Sequence, residues 1–134
     1  METLLPEGWP RPKGYSNGLR VPPGRELVFI SGMVGWDEKE RMVSTTFAGQ
    51  FEQALANIVD VLETGGGEPA DLVRLTVYVT DLEAYRGSLK EIGAAWKNLI
   101  GRHYPCMALV QVKGLLEAGA LVEIEATAAV VPRT

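Results

Sequence analysis

The period of apolar positions changes along this chain, and each change marks an element. From residue 44 onward Phe47, Phe51, Leu55, Ile58, Val61 and Leu62 recur at steps of three and four, the spacing that lines one face of an α-helix. Ser44 or Thr45 stands ready to cap its start, and Gly65–Gly67 end it. "DLVRLTVYVTD" follows, β-branched and mostly apolar, and predicts a strand. A second helical pattern then runs through Tyr85, Leu89, Ile92, Trp96 and Leu99, weakened by Gly87 and Gly93.

The two ends of the chain read as strands. "NGLRVPPGRELVFISG" sets two short apolar stretches around a Pro-Pro-Gly turn, which predicts a hairpin of strands near Leu19–Val21 and Leu27–Ser31. After "GRHYP" the strand pattern returns at Cys106–Val112. In "ALVEIEATAAVV", Val122, Ile124 and Ala126 alternate with Leu121, Glu123, Glu125 and Thr127. The order is ββαβαββ. Strand, helix, strand in succession demands a parallel pairing through a right-handed crossover, and hairpins demand antiparallel ones, so the sheet is mixed. Two helices cover one face only. The penultimate strand is apolar on both sides, Cys106, Ala108, Val110 and Val112 alternating with Met107 and Leu109, so the second face needs a cover too. With no chain left over, another copy of the protein supplies it, and a homo-oligomer is expected.

Length allows one domain, residues 1–134. Acidic residues number 17 against 13 Lys plus Arg, a net charge of −4, and no basic stripe interleaved with aromatics is present, so no nucleic-acid partner is expected. "METLLPEGWPRPKG" lacks the cationic and apolar regions of a leader, and no apolar run is long enough to cross a bilayer, so no membrane association and a cytoplasmic location are expected. One cysteine, Cys106, and one histidine, His103, fall far short of metal-ligand spacing; no metal and no cofactor are expected.

The ordered run of "KGYSNG", "VFISGMV", "DLVRLTVYVTDL", "HYP" and "VEIEATA" resembles the Rid (reactive intermediate deaminase, RidA/YjgF) family over almost the whole chain. The resemblance implies an α+β, chorismate-mutase-like (YjgF-like) fold, a homotrimer, and small-molecule ligand clefts between subunits. It also implies cofactor-free hydrolysis of reactive enamines and imines to a carbonyl compound and ammonia. By the same resemblance Tyr15, Ser31 and Glu123 match the family's site Tyr, Ser and Glu. The family's Arg, two residues after the Pro of the fourth strand, falls on Met107; the Cys often found two residues later falls on Leu109, and a loop Pro on Leu116. A thioether has no hydrogen to offer a carboxylate, so a substrate with an uncharged or apolar group at that end is expected.

Each candidate has a plainer reading beside its functional one. Glu123 suits a carboxylate that orients and deprotonates water, or is one of two solvated glutamates, with Glu125, on a shared face of an edge-like strand. Tyr15 is a phenol at a pocket wall or a rim residue packing its ring. Ser31 offers a hydroxyl or its backbone to a ligand, or is turn chemistry before Gly32. Cys106 reads as a buried inert thiol, and His103 as a loop residue that remains a candidate acid or base. Arg20, Arg102 and Lys113 are candidates to replace the missing guanidinium; Trp9, Trp36 and Trp96 read as packing residues, Trp36 being the one of the three best placed to touch ligand. "GGGEP" follows a helix and lacks a Gly-Lys-Ser/Thr ending, so it is a helix stop and not a phosphate loop. The function expected is an imine or enamine deaminase, a hydrolase, with an altered substrate. A non-catalytic trimeric small-molecule binder is the alternative, and the acidic charge argues against a ribonuclease.

Overall fold

The computed structural model describes residues 1–133. Two short strands, β1 (Glu2–Leu4) and β2 (Gly18–Arg20), precede β3 (Glu26–Val34), α1 (Phe47–Thr64), β4 (Leu72–Val79), α2 (Leu82–Arg86), α3 (Leu89–Leu99), β5 (Cys106–Gln111) and β6 (Val122–Val130). The main sheet is mixed, in the order β3-β6-β4-β5. Strands β4 and β5 run parallel around the α2–α3 crossover, and the other pairs are antiparallel.

Alternation on β4 and β6 decides the core. Leu75, Val77, Val79, Val122, Ile124 and Ala126 point to one side and meet Phe51, Leu55, Ile58 and Leu62 of α1 and Ile92 and Trp96 of α3. Leu55, Ile58, Leu62, Leu75 and Ile124 are fully buried, each worth about 1.5–3 kcal/mol of apolar transfer. The buried stripe of α1 takes Val59 and leaves Val61 exposed. Thr46, with extended backbone, caps α1 by accepting from the Gly49 amide, while the Ser44 hydroxyl accepts from the Thr46 amide. The cap is therefore neither Ser44 nor Thr45, because Ser44 is engaged in folding the approach to it.

Other expectations change as well. Strand β2 does not pair with β3; it pairs with β1 as a separate two-stranded sheet. Pro22 and Pro23 have no amide hydrogen for a ladder, and the chain turns away there, passing Gly24 at φ +86°. The single second helix is two. The Gly87 amide bonds the Glu83 carbonyl and the Ser88 hydroxyl bonds the Ala84 carbonyl, closing α2 before α3 begins. Strand β6 is not edge-like: it lies between β3 and β4, so Glu123 and Glu125 stand on an interior strand.

Both long helices lie on one face of the sheet, as two covering helices require. On the other face Leu27 is 60% exposed and Phe29 74% exposed, and Cys106, Ala108 and Val110 of β5 point the same way. Cys106 is only half-buried there, so it is not the buried thiol the strand pattern suggests. The loop between β5 and β6 is fastened to α1 by Gln50, which is 1% exposed. Its amide nitrogen donates to the Ser44 and Gly119 carbonyls at 3.0 and 2.9 Å, and its oxygen accepts from the Leu121 amide at 2.8 Å.

Candidate functional site

The expected site residues fall into two groups. The first surrounds a bulge in β3, where the register against β6 slips between Ile30 and Met33 and leaves Ser31 and Gly32 as the irregular pair. Gly32 has a physical reason to be glycine: a Cβ there would lie 2.5 Å from Glu123 Oε2, so the missing side chain is what lets this carboxylate lie across the strand. Ser31 is exposed on the uncovered face, in a hollow of about 450 Å³ that Arg74, Thr76, Glu125 and Thr127 also line. Beside it the Tyr78 hydroxyl donates to Glu125 Oε1 at 2.7 Å. That hydrogen bond, with burial and the charges of Glu125 and Glu123, raises the phenol above its ordinary pKa. Tyr78 therefore keeps its proton at neutral pH and remains a donor.

The second group lies on the helix side. Met107 and Leu109 pair with Leu75 and Val77 and share their face, so their side chains pack toward the core at the floor of a cavity of about 550 Å³. Phe51, Ile92 and Trp96 complete that floor. The Trp96 indole N–H is spent on the His103 carbonyl at 3.1 Å, and its ring stacks on Tyr104 with centroids 6.5 Å apart. Tyr15 sits in the preceding loop, 42% exposed. The Ser16 amide donates to the Pro105 carbonyl at 3.2 Å, and its hydroxyl to the Tyr104 carbonyl, which holds this loop against the start of β5. Gly14 and Tyr104 line both the Met107 cavity and a neighbouring hollow that contains Tyr15.

Within one chain, then, Tyr15 and Met107 line neighbouring hollows, and Ser31 adjoins the glycine that the Glu123 carboxylate lies across. Met107 and Glu123 lie on opposite faces of the sheet. His103 is committed to structure, its Nε2 2.6 Å from the Leu72 carbonyl. Trp36 lies in a shallow depression with Asp37, Asn57 and Asp60, lined by none of the four expected site residues. Arg20 pairs with Glu2 at 2.7 Å, Lys113 lines neither hollow, and Arg102 lines the Met107 cavity. Sequence reasoning passed over Arg74 and Tyr78, although the alternation of "VRLTVYV" sets them with Thr76 against Leu75, Val77 and Val79. It also passed over Lys13 and Lys97, which only the folded loop and helix bring to one cavity. Among the described residues no group of three or more His, Cys, Asp or Glu side chains is placed to hold a metal, and no helix is long and apolar enough to cross a membrane.

The family model described as Endoribonuclease L-PSP matches residues 10–130. The chain belongs to the Rid (YjgF) family. It is similar to the 2-iminobutanoate/2-iminopropanoate deaminase of Homo sapiens, 32% identical over 121 residues, with 90% of this chain and 82% of that one covered. A RutC family protein of Pyrococcus horikoshii is 30% identical over 129 residues, covering 95% and 96% of the two chains. Among solved structures the Rid family protein YyfB of Yersinia pestis superposes with a TM-score of 0.84 at 30% identity, over 96% of this chain and 98% of that one. The Rid fold thus accounts for the mixed four-stranded sheet with its helices on one face.

Proposed function

We propose that this chain is a cofactor-free cytoplasmic deaminase that hydrolyses a reactive imine or enamine to a carbonyl compound and ammonia, on a substrate other than small 2-imino acids. The observation that carries this reading is the Glu123 carboxylate lying across Gly32, beside the exposed Ser31 and on the uncovered face of the sheet. A carboxylate so placed takes a proton from water as its oxygen adds to the imine carbon, and returns it to the nitrogen that leaves as ammonia. The likeness to a deaminase of 2-imino acids supports the reaction class. The net charge of −4 argues against RNA as substrate despite the ribonuclease wording of the family description.

Met107 supports the change of substrate. Where the family pattern carries an Arg, a thioether on an apolar floor leaves a buried carboxylate without a partner, at a cost of several kcal/mol. The same residue favours the second reading, a trimer that binds a small molecule without turning it over. Both are tested by ammonia release from 2-iminopropanoate, generated in situ by an amino-acid oxidase. Wild type is expected to be slow and Met107→Arg to gain about tenfold or more, the worth of one charge-assisted hydrogen-bond pair. A wild type already as fast as its Arg variant overturns the substrate reading; no ammonia from either protein on any imine favours the binder.

In this reading the two halves of the site meet across a subunit boundary in a homotrimer. The exposed Leu27, Phe29 and Val110 are the apolar surface that a second copy covers. Sedimentation velocity at micromolar concentration is expected to give three times the chain mass, and Phe29→Asp to shift the protein to monomer by burying a charge at the contact. A monomeric wild type sinks the proposal.

A further inference from the structure

The Met107 cavity has a polarity that the chain's overall charge does not explain. Its floor is apolar, with Phe51, Ile92, Trp96 and Leu109 around Met107, and the one indole N–H there is already bonded to protein. Three exposed cations, Lys13, Lys97 and Arg102, stand among its lining residues, and no acidic side chain does. In a chain with 17 acidic residues against 13 basic ones this is a local reversal of sign. Among the described residues none of the three cations is in an ion pair, whereas Arg20, Arg25, Arg41 and Arg86 all are. Buried and half-buried apolar groups line the floor, and the three charges stand with Leu89 and Tyr104 at the solvent-facing mouth, an arrangement suited to an amphipathic anion.

We infer that this cavity takes an organic acid with a bulky apolar body, inserted body first onto Met107 and Trp96, its carboxylate held at the mouth by Lys13, Lys97 and Arg102. The inference rests on the same cavity serving as the ligand site of the proposed deaminase, and it names the substrate class: an imine or enamine with an arylalkyl or branched-alkyl portion and an acid group at the opposite end. It also explains how a thioether is tolerated at position 107, because the pose is reversed and the apolar end rests there. A volume of about 550 Å³ is within the range of pockets that enclose such a molecule. A charge held at an exposed mouth is screened by salt, so affinity for the acid falls with ionic strength while affinity for a neutral isostere does not.

The test is binding, read by calorimetry and by tryptophan fluorescence with a Trp96→Phe control. 4-Phenylbutanoate, 4-phenylbutan-1-ol and propanoate serve as unreactive probes. The phenyl acid is expected to bind at least tenfold more tightly than either the alcohol or propanoate. Arg102→Ala alone is expected to narrow the gap between acid and alcohol, and the Lys13→Ala, Lys97→Ala, Arg102→Ala triple variant to close it. All three positions are exposed, and a melting curve checks that the variants fold. Equal affinity for acid and alcohol, an undiminished gap in the triple variant, or no binding of any probe at millimolar concentration overturns the inference. Ammonia release enters none of these readings. Preferential binding of the acid by a protein inert on every imine upholds the anion site and sinks the deaminase; Glu123-dependent ammonia release with no preference for the acid does the reverse.

Discussion

Replacing Glu123 by Gln is expected to lower ammonia release by about 100-fold or more, the usual scale for removing a positioned general base. Glutamine keeps the shape of the side chain and its place across Gly32, so the backbone has no reason to move. What it loses is the ability to accept a proton from water at the moment of attack on the imine carbon. The proton must then pass to bulk solvent, and the addition slows. The melting temperature is expected to stay within about 2 °C of wild type, since one partly exposed carboxylate is replaced by its amide. The measurement is kcat on whichever imine the wild type turns over, beside a thermal melt. Undiminished activity removes Glu123 from the mechanism. Loss of activity accompanied by a large fall in melting temperature assigns it to structure instead.

The largest effect on stability is expected at Gln50, which lines none of the hollows that hold the expected site residues. Three backbone groups depend on its side chain: the carbonyls of Ser44 and Gly119 and the amide of Leu121. Gln50→Leu preserves volume and removes every one of these bonds. An unsatisfied buried polar group costs about 1–3 kcal/mol, and water reaching part of the loop recovers some of it, so a net loss of about 3 kcal/mol is expected. For a domain of this size that corresponds to roughly 10 °C in melting temperature. Hydrogen exchange at Leu121 is expected to accelerate more than exchange at Val77, because the loop before β6 is released before the sheet opens. A shift under about 3 °C means that the loop is fastened by other contacts. Gly35 supports the same junction: a Cβ there would meet the Gln50 Cα at 2.6 Å, so β3 and α1 approach as closely as they do only because that residue has no side chain.

Much of this fold is legible in the sequence because periodicity reports burial. The stripe of α1, the alternation of β6 and the strand character of "DLVRLTVYV" each specify an element and the face it buries. The N-terminal pairing is not legible. A Pro-Pro-Gly turn between apolar stretches reads as a hairpin, yet the outcome depends on whether another segment offers β2 a better partner, and Glu2–Leu4 does. Strand order is hidden for the same reason: nothing local in "VEIEATA" tells whether it lies at an edge or in the interior. Ser31, Glu123, Tyr15 and Met107 were named from their motifs, but motifs carry no information about sides. Only the register, with Met107 beside Leu75 and Glu123 beside Tyr78, separates Met107 and Glu123 onto opposite faces.

In the proposed reading that separation decides how the protein is switched on. A chain whose two half-sites look away from each other has no means of closing a site upon itself, however well it folds. Folding and competence are distinct events in that reading, the second depending on how many chains share a given volume. In the proposed reading a scarce protein is native and silent, an abundant one native and working, and the threshold between them is set by abundance. Activity control of this kind needs no effector site anywhere on the surface. The strength of the contact between copies, centred on residues such as Phe29, is the dial.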